Sequence, residues 1–190
     1  MIISILICSI YERAGMLAGL LGELYNQVED NNAQDKVEII TEIDNKGERP
    51  TGGKRNILYQ SSNGKYSMSI DDDDWIPNYF VSELLKAAES DADCFSIRGT
   101  ITTNGKDERN WFISINNPYC TDIVEGKEFY RRYPNHITPI KSEIAKQVLF
   151  PDIFIGEDYA WATEIYERKL LKNQYEIQKP MYYYRFSTNK

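Results

Sequence analysis

The sequence is poor in cysteine, and its few cysteines follow no disulfide or metal-binding pattern. Cys8, Cys94 and Cys120 are odd in number, and no two of them are spaced as Cys-x-x-Cys. This excludes a disulfide framework and a cysteine-based zinc site. Such thiols behave as small apolar side chains, and we expect them to lie buried in a protein of a reducing compartment.

The chain also lacks an excess of positive charge and a long apolar run. Its 190 residues include 22 Lys and Arg against 29 Asp and Glu, a formal net charge of −7. Without a basic stripe, nucleic acid is excluded as a partner. The apolar residues 2–10 are too few to span a bilayer and follow no basic region of the kind that opens a signal peptide. We therefore expect a cytoplasmic protein with no transmembrane segment, for which only peripheral membrane contact stays open.

The composition does provide enough apolar surface for one folded domain. Apolar residues make up 42% of the chain and aromatic residues 13%, which is typical of a globular protein and not of a disordered one. An acidic protein of this kind needs local lysines, arginines or a metal ion to bind an anionic substrate.

Four consecutive aspartates, Asp71 to Asp74, follow a short segment with strand-like composition at residues 65–70. Adjacent carboxylates repel one another, so a solvated acidic turn is the simplest structural interpretation. Carboxylates at the end of a strand also suit a hard cation, because Mg²⁺ and Mn²⁺ prefer oxygen ligands. Such a cation could neutralise a diphosphate that the acidic protein itself repels.

The pattern along the chain alternates strands and helices. Apolar runs at residues 2–8 and 37–41 are typical of strands buried on both faces, and residues 14–27 have helical periodicity. This β-α-β unit favours a parallel sheet with a right-handed crossover. Further predicted helices cover residues 54–62, 79–90, 127–133 and 156–171, and further predicted strands cover 65–70, 93–98, 111–115, 136–140 and 181–186.

Short motifs occur in a fixed order along this pattern. They are an opening strand and turn at residues 3–13, an acidic strand end at 38–44, Gly-Lys-Arg-Asn at 53–56, the aspartate run, and Gly-Glu-Asp at 156–158. Together they resemble family 2 glycosyltransferases of the GT-A fold, whose DXD motif corresponds to the aspartates. The resemblance implies an α/β fold, a three-layer α/β/α sandwich with a Rossmann-like nucleotide-binding half and a mixed central sheet.

The resemblance also implies a function for one domain over residues 1–190. By the resemblance, residues 1–98 would bind a nucleotide-sugar donor, for which a UDP-sugar is expected, and residues 99–190 would bind a hydroxyl acceptor on a glycan or glycolipid. The expected reaction is a metal-dependent transfer with inversion. Asp71 and Asp73 would hold Mn²⁺ or Mg²⁺, since alternate residues of an extended segment share one side. The register that uses Asp72 and Asp74 stays open.

Several side chains are candidates for the donor site. Lys54 and Arg55 lie at a predicted helix start, where they suit a phosphate or uracil, although an exposed basic pair is the simpler interpretation. Tyr11 would stack on the base or pack at the strand end, and either Glu42 or Asp44 would accept a hydrogen bond from uracil. The full predicted donor set is Tyr11, Arg13, Glu42, Asp44, Lys54, Arg55, Asp71 and Asp72.

Asp158 is the predicted catalytic base, matching the second acid of the Glu-Asp motif that deprotonates the acceptor hydroxyl in this family. Acidic residues at a helix N-terminus also simply favour the helix dipole. Glu157, Trp161 and His136 are candidates for acceptor contacts, although Trp161 equally suits the core and His136 a structural role.

Two other functions stay open at this point. A sugar nucleotidyltransferase uses a related sheet but opens with a glycine-rich loop, which residues 8–16 do not match. A glycan- or cation-binding module could keep the fold without turnover, although the acid at Asp158 argues against it.

Overall fold

The computed structural model describes residues 1–188. Its strands are β1 (Ile3–Ile10), β2 (Val37–Asp44), β3 (Tyr66–Asp71), β4 (Cys94–Thr103), β5 (Lys106–Ile113), β6 (Cys120–Val124), β7 (Lys127–Arg132), β8 (Ile140–Lys141) and β9 (Gln174–Phe186). Its helices are α1 (Ala14–Asp30), α2 (Thr51–Ser61), α3 (Phe80–Ala88), α4 (Ser142–Ala145) and α5 (Glu157–Glu167). Within this described part, no helix is both long enough and apolar enough to cross a membrane.

The described strands form one mixed sheet in the order β2-β1-β3-β8-β4-β5-β7-β6, with β9 paired to β4. β1 pairs in parallel with β2 and with β3, so the predicted β-α-β unit is present. The partners of β8 on both sides run antiparallel to it. The sheet is therefore parallel at the β1 end and mixed beyond β3.

Helices cover both faces of the parallel part, and β1 divides its side chains between two cores. Ile3, Ile5 and Ile7 join a core with the apolar residues of α1 and α3. Leu6 joins a second core with residues of α2, α4 and α5, including Trp161. This alternation is the period of a strand buried on both faces, and it produces the three layers that the sequence predicts.

The predicted helix over residues 127–133 is wrong, because these residues form strand β7. Glu125 and Gly126 both have positive φ, 52° and 77°, and join β6 to β7 in a tight antiparallel hairpin. Two consecutive positive φ values are the backbone signature of the hairpin turn whose twist matches its strands. Neither this turn nor β6 is among the elements predicted from the sequence.

Two further boundaries differ from the predictions. The predicted strand at residues 136–140 contributes only Ile140 to β8, because a turn in which the Thr138 amide donates to the Asn135 carbonyl interrupts it. α2 begins at Thr51, three residues before the predicted start, so Gly52 and Gly53 are helical. β4, β5 and β9 are longer than predicted but lie where the sequence indicates.

Candidate functional site

The carboxyl ends of the parallel strands meet at one edge of the sheet. β1 ends at Ile10, β2 at Asp44 and β3 at Asp71, and Cys8 is in register with both Glu42 and Asp71. In open α/β sheets this edge is where ligands bind. The predicted site residues of the first half therefore come from segments that converge in space.

The aspartate run is not a solvated acidic turn. Asp72, Asp73 and Asp74 are only 2%, 6% and 3% exposed, and the Asp74 amide donates to the Asp71 carbonyl to close the turn. Burying carboxylates is costly unless each finds a partner. The partners differ from one aspartate to the next, which separates their roles.

Asp71 faces the basic side of the site. Its Oδ1 lies 3.0 Å from Nη2 of the buried Arg55, and its Oδ2 lies 3.7 Å from Nε2 of His136. Burial works against ionisation, but the Arg55 and His136 side chains hold the pKa of Asp71 well below its usual range. Asp71 is thus an ionised carboxylate, and its side chain is still 31% exposed.

Asp72 and Asp73 share Arg13. The Arg13 guanidinium donates to Asp72, and its Nη1 lies 3.4 Å from Oδ2 of Asp73. Asp72 also accepts a 2.6 Å hydrogen bond from the Ser9 hydroxyl. Burial nevertheless raises the pKa of Asp72. Arg13 follows the end of β1, so this arginine ties the first strand to the acidic turn.

Asp74 points away from this basic side and towards β9. Its carboxylate accepts hydrogen bonds from the Tyr182 hydroxyl and the Arg185 amide, both at 2.9 Å. Burial, followed by the nearby Asp71 charge, raises the pKa of Asp74 to about 8. Because both of its oxygens are engaged by the last strand, Asp74 is a structural anchor of the turn.

A narrow cavity of about 230 Å³ lies over this sheet edge. Of the predicted donor and metal residues, those that line it are Arg13, Lys54, Arg55, Asp71, Asp72 and Asp73. Cys8 also lines it, and burial raises the pKa of this thiol to about 11, so it is a neutral wall of the cavity. The exposed Tyr11, at 62%, lies outside the lining.

Lys54 and its partner Asp44 form a buried pair. Lys54 Nζ donates to Asp44 Oδ1 at 2.6 Å and to the Ser9 carbonyl at 3.0 Å. Asp44 also accepts the Arg49 amide, and Glu42 pairs with the Arg49 guanidinium. Asp44 therefore fixes Lys54 in the cavity wall. The carboxylates of Glu42 and Asp44 both bind protein partners, and neither lines the narrow cavity.

Arg55 connects the acidic run to the start of α5. Its guanidinium lies 3.1 Å from Glu157, donates to the Ser69 hydroxyl and contacts Asp71. Glu157 is itself 5% exposed. The Lys54-Arg55 pair is therefore buried, and the exposed-pair interpretation is wrong.

Asp158 lies beside His136 at the N-terminus of α5. The preceding Gly156 has φ 85° and lets the chain turn into the helix. Asp158 Oδ2 lies 3.4 Å from His136 Nδ1, and its side chain is 37% exposed. Burial works against the carboxylate, yet the neighbouring His136 lowers the pKa of Asp158 to about 2. Asp158 is thus an ionised, accessible carboxylate at neutral pH.

A wide cavity of about 440 Å³ adjoins the narrow one. It contains His136 and Asp158, and its walls include the aromatic side chains of Trp111, Tyr119, Tyr130, Tyr182 and Tyr184. Arg55, Asp71, Glu157 and Tyr184 line both cavities. The two cavities therefore share a boundary formed by these four side chains, which come from α2, β3, α5 and β9.

Trp161 belongs to the core and not to either cavity wall. It is 1% exposed, stacks on Phe150 at 4.6 Å between ring centroids, and donates its N–H to the Val148 carbonyl. It lies one helical turn from Asp158 but on the face of α5 that packs on the sheet.

The sequence reading missed several residues of the site. Tyr182 lies in the predicted strand at residues 181–186 and is not among the predicted site residues, yet its hydroxyl accepts a hydrogen bond from the Asp71 amide and donates one to Asp74. Arg132, Tyr119 and Tyr130 line the wide cavity from the overlooked β6–β7 hairpin and its approach. The Glu125-Gly126 turn was the signal that could have revealed them.

The residues fit a metal ion only in partnership with a substrate. Within residues 1–188, no three His, Cys, Asp or Glu side chains converge as a ready-made metal site. Asp71 and Asp73 do line one cavity, and Mg²⁺ is commonly held by one or two carboxylates together with substrate phosphates. The donor set therefore fits a cation that a diphosphate helps to bind, not a cation caged by the protein alone.

Comparison with known proteins identifies the fold. No family model matches the chain, and no curated protein matches it. The crystal structure of residues 1–349 of TarS from S. aureus matches 97% of the chain with a TM-score of 0.65 and 14% identity, and the chain covers 60% of that structure. The same fragment in complex with UDP-GlcNAc matches 97% of the chain with a TM-score of 0.64 and 13% identity, with 58% of that structure covered.

The fragment in complex with UDP gives a TM-score of 0.64 at 14% identity, over 98% of the chain and 61% of that structure. The chain thus spans less than two thirds of the length of each fragment. At this identity the likeness concerns the fold, and the predicted GT-A-type α/β fold with a large mixed sheet is confirmed.

Proposed function

We propose that the protein transfers a sugar from a nucleotide-sugar donor to a hydroxyl acceptor. The observation that carries the proposal is the meeting of two different cavities at one boundary. The narrow cavity is lined by residues 71–73 and by Arg13, Lys54 and Arg55, and the wide one contains Asp158 among aromatic walls. A two-substrate transfer needs such a boundary, because the reacting atoms must be held at near contact.

The donor is assigned to the narrow cavity, which residues 1–98 largely form. A UDP-sugar is supported by the fold likeness to a TarS fragment that is bound to UDP-GlcNAc in one structure and to UDP in another. The acceptor, a glycan or glycolipid, is assigned to the wide cavity, whose aromatic walls come mainly from residues 99–190. Aromatic side chains offer flat apolar faces of the kind on which a sugar ring packs.

Asp71 and Asp73 would hold Mn²⁺ or Mg²⁺ together with the donor phosphates. The Asp71/Asp73 register is supported by the contacts of Asp74, whose oxygens accept from Tyr182 and Arg185. When bound, the cation would supply charge neutralisation for the departing diphosphate. Arg13 would add positive charge at the same place, since it lies between Asp72 and Asp73.

Asp158 is the proposed base for a single displacement with inversion. The acceptor oxygen forms a bond to the anomeric carbon, the bond from that carbon to the diphosphate breaks, and UDP leaves with the electron pair. The hydroxyl proton passes to Asp158. A carboxylate whose pKa is about 2 is a weak base, so we expect the proton to move after carbon–oxygen bond formation has made the hydroxyl acidic.

A thermal-shift screen of nucleotide sugars tests the donor assignment. Because a ligand that binds only the folded state raises Tm by mass action, we expect UDP-sugars to raise Tm more in the presence of Mn²⁺ than in its absence. Asp73→Asn should remove the Mn²⁺-dependent part of the shift, whereas Asp74→Asn should retain it. The opposite pattern would support the alternative register, and no shift with any nucleotide sugar would contradict the proposal.

A further inference from the structure

His136, the only histidine of the chain, lies between Asp71 and Asp158, the two carboxylates to which the proposed reaction gives different roles. Its Nδ1 is 3.4 Å from Oδ2 of Asp158, and its Nε2 is 3.7 Å from Oδ2 of Asp71. These carboxylates come from α5 and β3, which are far apart in sequence. The two ring nitrogens of one imidazole thus face these two carboxylates.

The backbone of His136 is held from two elements. Its carbonyl accepts the Ser69 amide of β3 at 2.7 Å and the Tyr59 hydroxyl of α2 at 3.3 Å. His136 is 7% exposed, so its ring has little freedom to turn away. The position of the imidazole between the carboxylates is therefore fixed by the sheet and not by a mobile loop.

The ring nitrogens are buried yet incompletely paired. Among the side chains of residues 1–188, neither Nδ1 nor Nε2 has a partner within hydrogen-bond geometry, since both separations exceed the usual range of about 2.7–3.2 Å. Buried polar atoms in folded proteins normally find a partner. In enzymes without substrate, bonds between catalytic groups are often long and shorten when the substrate binds.

We propose that His136 is a positioning residue that orients Asp158 through an Nδ1–H to Oδ2 hydrogen bond. In this arrangement Oδ2 faces the imidazole, and Oδ1 is the oxygen that would meet the acceptor hydroxyl. Contact with Asp71 at the opposite edge of the ring ties the direction of Asp158 to the donor side. The inference deepens the proposed function and rests on it for its kinetic consequences, although the pairing itself does not.

The kinetic arm compares two variants that differ in one hydrogen-bond donor. His136→Leu introduces an apolar side chain of similar size that has no hydrogen-bond donor. His136→Asn offers an amide N–H near the position of Nδ1. We expect Leu to lower kcat for transfer on the order of 100-fold, within the range for a disturbed general base. Asn should recover at least about a tenth of the wild-type kcat, because it restores the hydrogen bond, and neither should change the KM for the donor more than about twofold.

A structural role alone predicts a different result. Leu and Asn would then lose activity equally, or raise the donor KM together with a fall in Tm. Either of these outcomes, or an unchanged kcat in His136→Leu, overturns the proposal.

A spectroscopic arm tests the pairing without turnover. Because the chain has one histidine, ¹⁵N-labelled imidazole gives a single pair of ring nitrogen signals. We expect a protonated Nδ1 whose signal shifts in Asp158→Asn and stays unchanged in the exposed control Asp152→Asn. An Nδ1 signal that ignores Asp158→Asn overturns the pairing. If the wild-type protein turned over no nucleotide sugar, the proposed function would fail, and this arm would still decide the pairing.

Discussion

Arg55 is the residue on which the charges of the site depend most. Its guanidinium is 4% exposed and contacts Glu157, Asp71 and the Ser69 hydroxyl. These groups come from α5 and β3, while Arg55 lies on α2. The arginine thus neutralises two carboxylates that would otherwise repel each other at the boundary between the cavities.

Replacing Arg55 should therefore be strongly destabilising. In Arg55→Gln the buried Glu157 loses its charge partner, and removing one partner of a buried ion pair costs about 3–5 kcal/mol. Urea unfolding should report this loss of unfolding free energy. In the matched control Arg168→Gln, which removes an exposed helical pair with Glu164, the loss should stay below about 0.5 kcal/mol. Equal losses in the two variants would contradict the central role of Arg55.

At this scale, residue type and order predicted the convergence of the site but not the partners within it. Lys54 and Asp44 each suited a ligand by sequence, yet they bind each other. Trp161 suited either a cavity or the core, and only the packing of α5 on Phe150 distinguishes the two. Pairings between residues distant in sequence depend on how helices dock, which local patterns do not encode.

Among the elements, β9 holds the acidic turn in place through hydrogen bonds. The Tyr182 hydroxyl accepts the Asp71 amide and donates to Asp74. The Arg185 amide donates to Asp74, and Arg185 Nε donates to the Asp73 carbonyl. The last strand of the described chain thus fixes the orientation of a turn more than a hundred residues earlier in sequence.

Tyr182→Phe should remove the two hydrogen bonds of the Tyr182 hydroxyl while keeping the fold. The ring still packs against Trp111, but the Asp71 amide and Asp74 lose their partner. We expect the Mn²⁺-dependent affinity for UDP to fall about tenfold, the equivalent of about 1.4 kcal/mol, which lies within the range of about 1–3 kcal/mol for the loss of two hydrogen bonds. Calorimetric titration of UDP measures this, with Tyr175→Phe on the same strand as the control. An unchanged affinity in Tyr182→Phe would show that the turn holds its shape without β9.

Close packing, and not a turn, requires glycine at position 52 near the start of α2. A Cβ on Gly52 would lie 1.8 Å from the Pro151 carbonyl oxygen, within the segment that leads into α5. Gly52 is helical, and its amide donates to the Ile153 carbonyl. The predicted helix at residues 54–62 leaves out Gly52 and Gly53, because the close approach of a second segment is not encoded in the local sequence.

Gly52→Ala should therefore displace the segment before α5. We expect a loss of about 1–3 kcal/mol in unfolding free energy from overpacking, together with lower transfer activity because Glu157 and Asp158 move. Gly19→Ala is the control, since a Cβ there meets nothing within 4 Å, and it should stabilise α1 by up to about 1 kcal/mol. Thermal unfolding of the two variants gives the comparison, and a gain in stability for both would refute the close-contact explanation.

At the scale of the elements, hydrophobic periodicity predicted most helices and strands correctly, whereas the turn at Glu125 and Gly126 was not predicted. The β-α-β unit, the hairpin between β4 and β5, and the helix at the Glu-Asp motif follow from patterns in the chain. The β6–β7 hairpin was not predicted, because the composition of residues 127–132 suits a helix. The two residues with positive φ that precede them form a hairpin turn instead.

For the whole molecule, the architecture separates two kinds of chemistry across one sheet. The parallel strands β1, β2 and β3 end at the charged narrow cavity, and β5, β7 and β9 of the mixed part contribute aromatic walls to the wide cavity. The net charge of −7 makes the local cluster of Arg13, Lys54 and Arg55 necessary if an anionic donor is to bind. The chain covers 60% of a TarS fragment of similar fold.

Sugar transfer where the two cavities meet, with Asp158 as the base, is tested most directly by measuring the rate of UDP release. With a UDP-sugar identified by the thermal-shift screen, Mn²⁺ and an acceptor glycan, the wild-type protein should release UDP in step with product. Asp158→Asn should bind UDP with unchanged affinity but release it at least about 100-fold more slowly, because only the proton transfer is removed. Equal rates in the two proteins, or binding without release in the wild type, would contradict the account.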